Sequence, residues 1–377
     1  HGWFCALMEQ SKPHKWRFRM AKRIGRSALV VLLMMLFLEA SLRALVHVQV
    51  PNPQYVQDDV TGFRLAPGVY GLASGFNSNV LDSLSRDGLR ILFVGDSFTF
   101  GTYPAIDVFP EQISTLLVEK GLPNSAFNRS VPGAGTSNYV DLAREFIAIV
   151  EPDVVVVTFY LGNDVLQSHP RQETRLVFGA PATVNRSLAF GLHADDILVI
   201  KSARILSGLV ARAFDEPTKP LPEMYSETGR VGGAMSKGAF LRNYRNELRG
   251  LQARPTGFIT ESEEGLVARM RVIRSMMPKR IVIPVLAPSR LHVDPDLQDE
   301  VLTHFDLEKG DFCFNCQTNR LAVALKAAGF STIDLTPEFE AEQVERNLYN
   351  RRDTHWNRSG NALAARVISE RIRDLLQ

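Results

Sequence analysis

The feature that most constrains this chain is the run Val154 to Val157 within "PDVVVVTFYLGND". Four successive β-branched residues offer no polar face to water, so a strand that holds them must be covered on both sides. Such strands belong to parallel sheets with helices above and below. The rest of the chain supplies the partners. "RILFVGDS" reads as a strand, and "VFPEQISTLLVEKG" as a helix with Gly121 just past its end. "SAFNRSV" is a short strand and "TSNYVDLAREFIAIV" a helix. The order resumes with "EGLVARMRVIRSMM" as helix, "KRIVIPVLA" as strand, "NRLAVALKAAGF" as helix, "STIDLT" as strand and "SGNALAARVISERIRDLLQ" as closing helix. The expected fold over 89–377 is therefore a three-layer α/β/α doubly wound sheet of about five parallel strands in flavodoxin-like order.

Two regions depart from the alternation. Residues 165–260 form an insertion after strand three: about 95 residues exceed any ordinary connection. The insertion is expected to be helical in part and to lie over the C-terminal edge of the sheet. Its "GRVGGAMSKG" lacks a preceding strand and a Gly-Lys-Ser/Thr ending, so it reads as linker rather than phosphate loop. The other region is the N-terminus, where "KPHKWRFRMAKRIGR" runs into "SALVVLLMMLFLEASLRALVHVQV". A membrane span takes about 20 residues, which 27–50 supplies when Glu39 and Arg43 pair at i, i+4 near the outer interface. Basic residues before the span put the tail 1–26 in the cytoplasm and everything after it outside. The expectation is a single-pass inner-membrane protein with a periplasmic or extracellular domain and an extended lead-in at 51–88. A cleaved signal peptide and an amphipathic helix packed on the domain are the competing readings. The formal charge of +2 in 377 residues gives no argument for a nucleic-acid partner.

Of the three cysteines, Cys5 falls on the cytoplasmic side, while Cys313 and Cys316 fall outside, where a disulfide persists. "CFNC" has no second cysteine pair for zinc and reads as a loop, so a local disulfide is expected before free thiols, metal or redox chemistry.

In an open α/β sheet the ligand site forms at the C-terminal ends of the strands. Strand one ends on Ser97; strand two in "NRSVPGAGT", with Asn128, Gly133 and Gly135; strand three in "GND", with Gly162, Asn163 and Asp164. "RRDTHWNRSG" brings Asp353 and His355 to the same rim before the last helix. Acyl transfer needs these residue types. A serine hydroxyl becomes nucleophilic when an imidazole takes its proton, and a carboxylate on the other ring nitrogen holds the imidazole. The N–H groups of Ser97 and Gly133 and the amide of Asn163 would face the oxyanion. Each block alone has an ordinary explanation as a turn or helix cap; their order on successive strand ends favours the joint reading.

These blocks resemble those of the SGNH/GDSL hydrolase superfamily: "FVGDSFTFG", "NRSVPGAGT", "YLGNDV" and "RRDTHWNRSGNALAA", over about Arg90 to Gln377 outside the insertion. The lead-in "DDVTGFRLAPG" is also similar to membrane-anchored bacterial members. The resemblance implies Ser97 as nucleophile, His355 as base, Asp353 as its orienting acid, and Ser97, Gly133 and Asn163 as oxyanion donors, with no metal or cofactor. Phe98 stands where the family name has Leu, an apolar contact expected to be tolerant. The family's Asp-x-x-His is here Asp353-Thr354-His355, one residue shorter. Residues at i and i+2 share a face in an extended segment but not on a helix, so an extended approach to the last helix is expected. The short spacing is also similar to that of polysaccharide O-acetyltransferases such as those acting on alginate.

Around this core, His292 in "PSRLHVD" reads as a loop histidine before a substrate contact, and Trp356 as a packing residue. The Asn-x-Ser sequons at Asn128, Asn185 and Asn357 matter only in a eukaryotic secretory setting, which nothing in the sequence supports. Three functions stay in play. The first is an extracytoplasmic serine esterase that removes small acyl groups, with O-acetyl groups of cell-surface glycans as the expected substrate. The second is an O-acyltransferase using the same acyl-serine, and the third a non-catalytic binding or assembly protein on the same fold.

Overall fold

A computed structural model describes residues 25–38, 41, 55–59, 61–66, 88–103, 105–177, 180–185 and 235–377. The central sheet has five parallel strands: β3 (Leu89–Val94), β4 (Asn124–Asn128), β5 (Val154–Tyr160), β8 (Ile281–Ala287) and β9 (Ile333–Asp334). Their spatial order is β4-β3-β5-β8-β9, the flavodoxin-like arrangement expected from the alternation. All seven residues of β5 are buried. Pleating sends them alternately to the two faces: Val155, Val157 and Phe159 join one core, while Val154, Val156 and Tyr160 join the other. On the first face lie α4 (Thr136–Val150), α7 (Gly257–Ser275) and α10 (Cys316–Ala327), which contribute Tyr139, Phe146, Leu266, Met270 and Leu321. On the second lie α3 (Phe109–Glu119) and α11 (Arg358–Leu376), with Phe109, Ile113, Leu363 and Ile368.

The lead-in is not simply extended. Tyr55–Asp58 (β1) and Gly62–Leu65 (β2) pair antiparallel in a tight ribbon. Phe63 and Leu65, two apart and so on one face, are buried against the domain. Asn138 of α4 pins the ribbon by donating from Nδ2 to the Thr61 carbonyl at 2.8 Å.

The insertion opens with α5 (Asp164–Gln167), followed by the hairpin β6 (Gln172–Val177) and β7 (Ala180–Asn185). Residues 186–234, and with them most of "GRVGGAMSKG", lie outside the described residues. The chain returns in α6 (Lys237–Glu247), capped by the Ser236 hydroxyl accepting from the Ala239 N–H. Phe240, Leu241 and Tyr244 of α6 pack with Leu291 of α8 (Arg290–Val293) and with Leu297, Val301 and Leu302 of α9 (Pro295–Phe305). Helix α7 begins at Gly257, ahead of the expected start, because Thr256 caps it through a bond from the Ile259 N–H.

Cys313 and Cys316 are joined in a disulfide, and Cys316 opens α10 rather than lying in a loop. At the N-terminus, 25–38 is a helix (α1) whose Leu29 to Leu38 are all exposed, Phe37 to 76%. Of the expected span 27–50, only 27–38 and 41 are among the described residues. No helix of the described residues is long and apolar enough to cross a membrane. Tail residues 1–24 lie outside them.

Candidate active site

Strand β3 stops because Gly95 turns the chain where no side chain fits. A Cβ there would lie 2.2 Å from Thr99 Oγ1 and 3.2 Å from the Thr158 carbonyl. The next residue, Asp96, caps the short helix α2 (Ser97–Phe100), its carboxylate accepting from the Phe98 N–H at 2.9 Å. Ser97 thus stands at the first helical position, where backbone N–H groups have no intrahelical acceptor. At the tip of β4, Asn128 Nδ2 donates to the Thr99 carbonyl at 2.7 Å and steadies α2 from below. Its side chain is wholly buried in that task, so the sequon there presents no acceptor at the surface.

Ser97 Oγ lies 2.8 Å from His355 Nε2, and His355 Nδ1 lies 2.6 Å from Asp353 Oδ1. The three expected residues are in one hydrogen-bonded line. The approach of Asp353 and His355 is not extended, however. The same Asp353 Oδ1 also accepts from the His355 backbone N–H at 3.0 Å, closing a bend over 353–355. An Asp that bonds the N–H two residues on turns the chain back on itself and aims its carboxylate at that residue's ring. The bend sits at the tip of a narrow hairpin: Asn350 N–H donates to the His355 carbonyl at 2.9 Å, and Tyr349 pairs with Trp356.

Gly133 lies in the loop between β4 and α4, tied to the nucleophile's strand by the Val131 N–H donating to the Gly95 carbonyl at 3.2 Å. It holds φ +78, and a Cβ would come within 2.8 Å of the Pro181 ring in β7. The first turn of the insertion thus roofs this loop. Asn163 follows β5 as the N-cap of α5. Its amide donates to Asp96.

The site rests on two buried acids, Asp96 and Asp164, whose burial the sequence did not reveal. Burial pushes the Asp96 carboxyl up to about 6, against the pull of the Phe98 N–H, the His355 charge and the Asn163 amide. Asp164 is pushed well above the carboxylate range by burial and by Asp96. It accepts from Tyr139 Oη at 2.9 Å and from the Tyr160 N–H at 2.8 Å. The signal was present in Asp96 and Asp164 as acids flanking the strand ends, but nothing in one sequence tells a cap from a buried pair.

Phe98 is more than a tolerant contact. Its ring stacks on Tyr160 at 3.7 Å between centroids and on the His355 imidazole at 5.0 Å. Trp356 packs edge-on against Phe98 and Phe109, as a packing residue should. His292 does not reach the rim. It is buried, its Nδ1 2.9 Å from the Ser289 hydroxyl, which donates to Glu247. Burial lowers His292 to about 4 and raises Glu247 to about 8. Among the described residues no group of three His, Cys, Asp or Glu side chains is placed to hold a metal ion.

Residues 288–377 match the family described as ALGX, the SGNH hydrolase-like domain of acetyltransferase AlgX. That segment contains Asp353 and His355 but not Ser97, Gly133 or Asn163. No curated protein sequence matches the chain. Among solved structures, an acetyl xylan esterase is 13% identical, with 75% of this chain and 98% of that one covered at a TM-score of 0.40. A lipase/acylhydrolase from Enterococcus faecalis is 13% identical, with 76% and 96% covered at 0.39. An acetylxylan esterase from Geobacillus stearothermophilus is 14% identical, with 77% and 96% covered at 0.38. Likeness at this distance carries no substrate with it.

Proposed function

On the premise that the chain is a serine hydrolase of the SGNH/GDSL type, we propose that it is an extracytoplasmic deacylase acting on O-acetyl groups of cell-surface glycans. The observation that carries the catalytic reading is the line from Ser97 Oγ through both nitrogens of His355 to Asp353. In acylation His355 Nε2 takes the Ser97 proton as Oγ adds to the ester carbonyl. The negative charge that develops on the carbonyl oxygen is met by the N–H groups of Ser97 and Gly133 and the side-chain amide of Asn163. The proton on Nε2 then passes to the departing sugar oxygen, leaving acetyl-Ser97. Water, deprotonated by the same nitrogen, attacks the acyl group; Oγ leaves and recovers the proton, and acetate is released. Asp353 accepts from Nδ1–H throughout and stabilises the imidazolium.

The match of residues 288–377 to an acetyltransferase domain favours a second reading. Here a sugar hydroxyl replaces water in the second half-reaction. Exclusion of water from acyl-Ser97 would separate the two. Membrane attachment is part of the proposal. It is supported by the basic segment before 27 and by the exposed apolar side chains of α1 from Leu29 to Leu38.

The test is labelling by a fluorophosphonate and turnover of a chromogenic acetyl ester, compared with Ser97→Ala and His355→Ala. Loss of both signals in the two variants is expected. Absence of labelling and of any rate difference would leave only the non-catalytic binding role. Product that appears faster on adding a glycan hydroxyl acceptor would assign transfer.

A further inference from the structure

The stack of three rings at the site has Tyr160 outermost from the base, Phe98 in the middle and His355 last. Phe98 is 4% exposed, and its plane is only 28° from that of the imidazole. The edge of Phe98 is held by Trp356, 89° to it at 5.3 Å. The Phe98 backbone is fixed as well, its N–H bonded to Asp96. These contacts hold the ring beside the imidazole. An aromatic face carries negative charge density and attracts a cation lying over it, more strongly where water is excluded.

We propose that Phe98 is a positioning residue for the base: its π face fixes the plane of His355 and stabilises the imidazolium formed when the Ser97 proton is taken. The proposal deepens the catalytic reading above and rests on it. A leucine would fill much of the same volume and supply neither the plane nor the charge density. Other charged and titratable groups also face His355. Asp353 lies on its own loop; Asp96, whose charge reaches the imidazole, precedes the nucleophile; Tyr160 backs Phe98 from β5. From α6, Glu247 acts on Tyr160, and Tyr244 lies within the field of Asp353. The test must leave all of these in place.

Fluorination of one ring does so. Phenylalanine carrying one, two or five fluorines at position 98 of the full-length chain keeps the ring's outline while draining its face of negative charge. The first readout is the His355 titration midpoint by NMR of [13C]histidine-labelled protein, assigned with His355→Gln. The second is the acidic limb of fluorophosphonate labelling. The midpoint is expected to fall stepwise with fluorination, by about 0.5 pH unit or ~3-fold in the protonation constant at five fluorines. Phe98→Leu should move it in the same direction; if that variant fails to fold, the fluorinated series still decides. Coincident midpoints across the series would reduce Phe98 to packing and overturn the proposal. A midpoint that moves in a protein that no fluorophosphonate labels would uphold the ring contact while sinking the esterase reading.

Discussion

Replacing Asp353 by Asn should damage the proposed activity far less than the same change does where the amide is free to turn. The reason is local. Asp353 Oδ1 accepts two hydrogen bonds at once, from the His355 backbone N–H at 3.0 Å and from Nδ1 at 2.6 Å. In Asp353→Asn the backbone N–H continues to demand an acceptor, so the amide keeps its oxygen toward the histidine and its NH2 away. The proton then stays on Nδ1, and Nε2 remains the base. What is lost is charge: a bond to an ionised acceptor contributes about 1.5–3 kcal/mol and a neutral one about 0.5–1.5. The difference of about 1–2 kcal/mol corresponds to a fall of roughly 5–30-fold in kcat/KM. A triad whose histidine takes the wrong tautomer instead loses about 10⁴-fold. Asp353→Ala removes both bonds and the bend itself, and should fall with Ser97→Ala. The assay is the pH-independent kcat/KM on a chromogenic acetyl ester, with fluorophosphonate labelling rates as a check. A loss in Asp353→Asn as deep as in Asp353→Ala would refute the argument that the bend orients the amide.

Three other outcomes follow from the geometry. Gly133→Ala forces a Cβ to within 2.8 Å of Pro181 at φ +78; about 1–2 kcal/mol of stability should go on the backbone conformation alone, read by urea melts, with loss of ester turnover. Asn163→Ala removes the amide partner of Asp96 and a donor proposed for the oxyanion, so kcat should drop about 10²–10³-fold with KM little changed. Glu247→Gln tests the buried acid behind α6. Burial raises its carboxyl from the usual 4.5 to about 8, so its contribution to stability is present below about pH 4.5 and is lost as pH rises to 8. The glutamine still accepts from Ser289 and does not titrate, so the variant should gain on the wild type by a few kcal/mol between pH 5 and 9 in denaturant melts; equal pH slopes would refute it.

The parallel sheet was legible because its signal is strong and local: a strand buried on both faces leaves no polar residue in Val154–Val157. The site was legible for a related reason. Ligand-facing residues of such a sheet fall at strand ends, so their sequence positions are set once the strands are known. Shorter signals were missed. The β1–β2 ribbon buries only Phe63 and Leu65, and two alternating residues make no recognisable period. Helix α6 did carry a pattern, a serine cap followed by Phe240, Leu241 and Tyr244 at helical spacing, hidden inside a polar segment. The stacking of Phe98 on His355 joins residues 257 positions apart and leaves no trace in local sequence. The buried Asp96 and Asp164 likewise look like ordinary caps until their burial is known.

The shortened Asp-x-His spacing shows how a tertiary contact replaces a missing residue. With one residue fewer, backbone regularity alone does not bring the carboxylate under the ring; the bend at Asp353 does, and a bend at a hairpin tip needs anchoring. Asn350 supplies the anchor. Its N–H holds the His355 carbonyl at 2.9 Å, its Nδ2 donates to the Trp356 carbonyl at 3.0 Å, and its Oδ1 accepts from Tyr103 Oη at 2.6 Å. Tyr103 sits two residues past the glycine that ends α2, the helix whose first residue is Ser97. Nucleophile and base, 258 residues apart in sequence, are thereby fastened through a buried bond that touches neither. From the other side the Met235 N–H, at the return of the insertion, donates to the carbonyl of Arg352, whose φ of +51 begins the bend. The insertion is therefore bonded through Met235 to the residue next to Asp353 and covers Gly133 through Pro181 near its start. A change in the packing of these two segments would reach the residue next to Asp353 and the loop of Gly133 together.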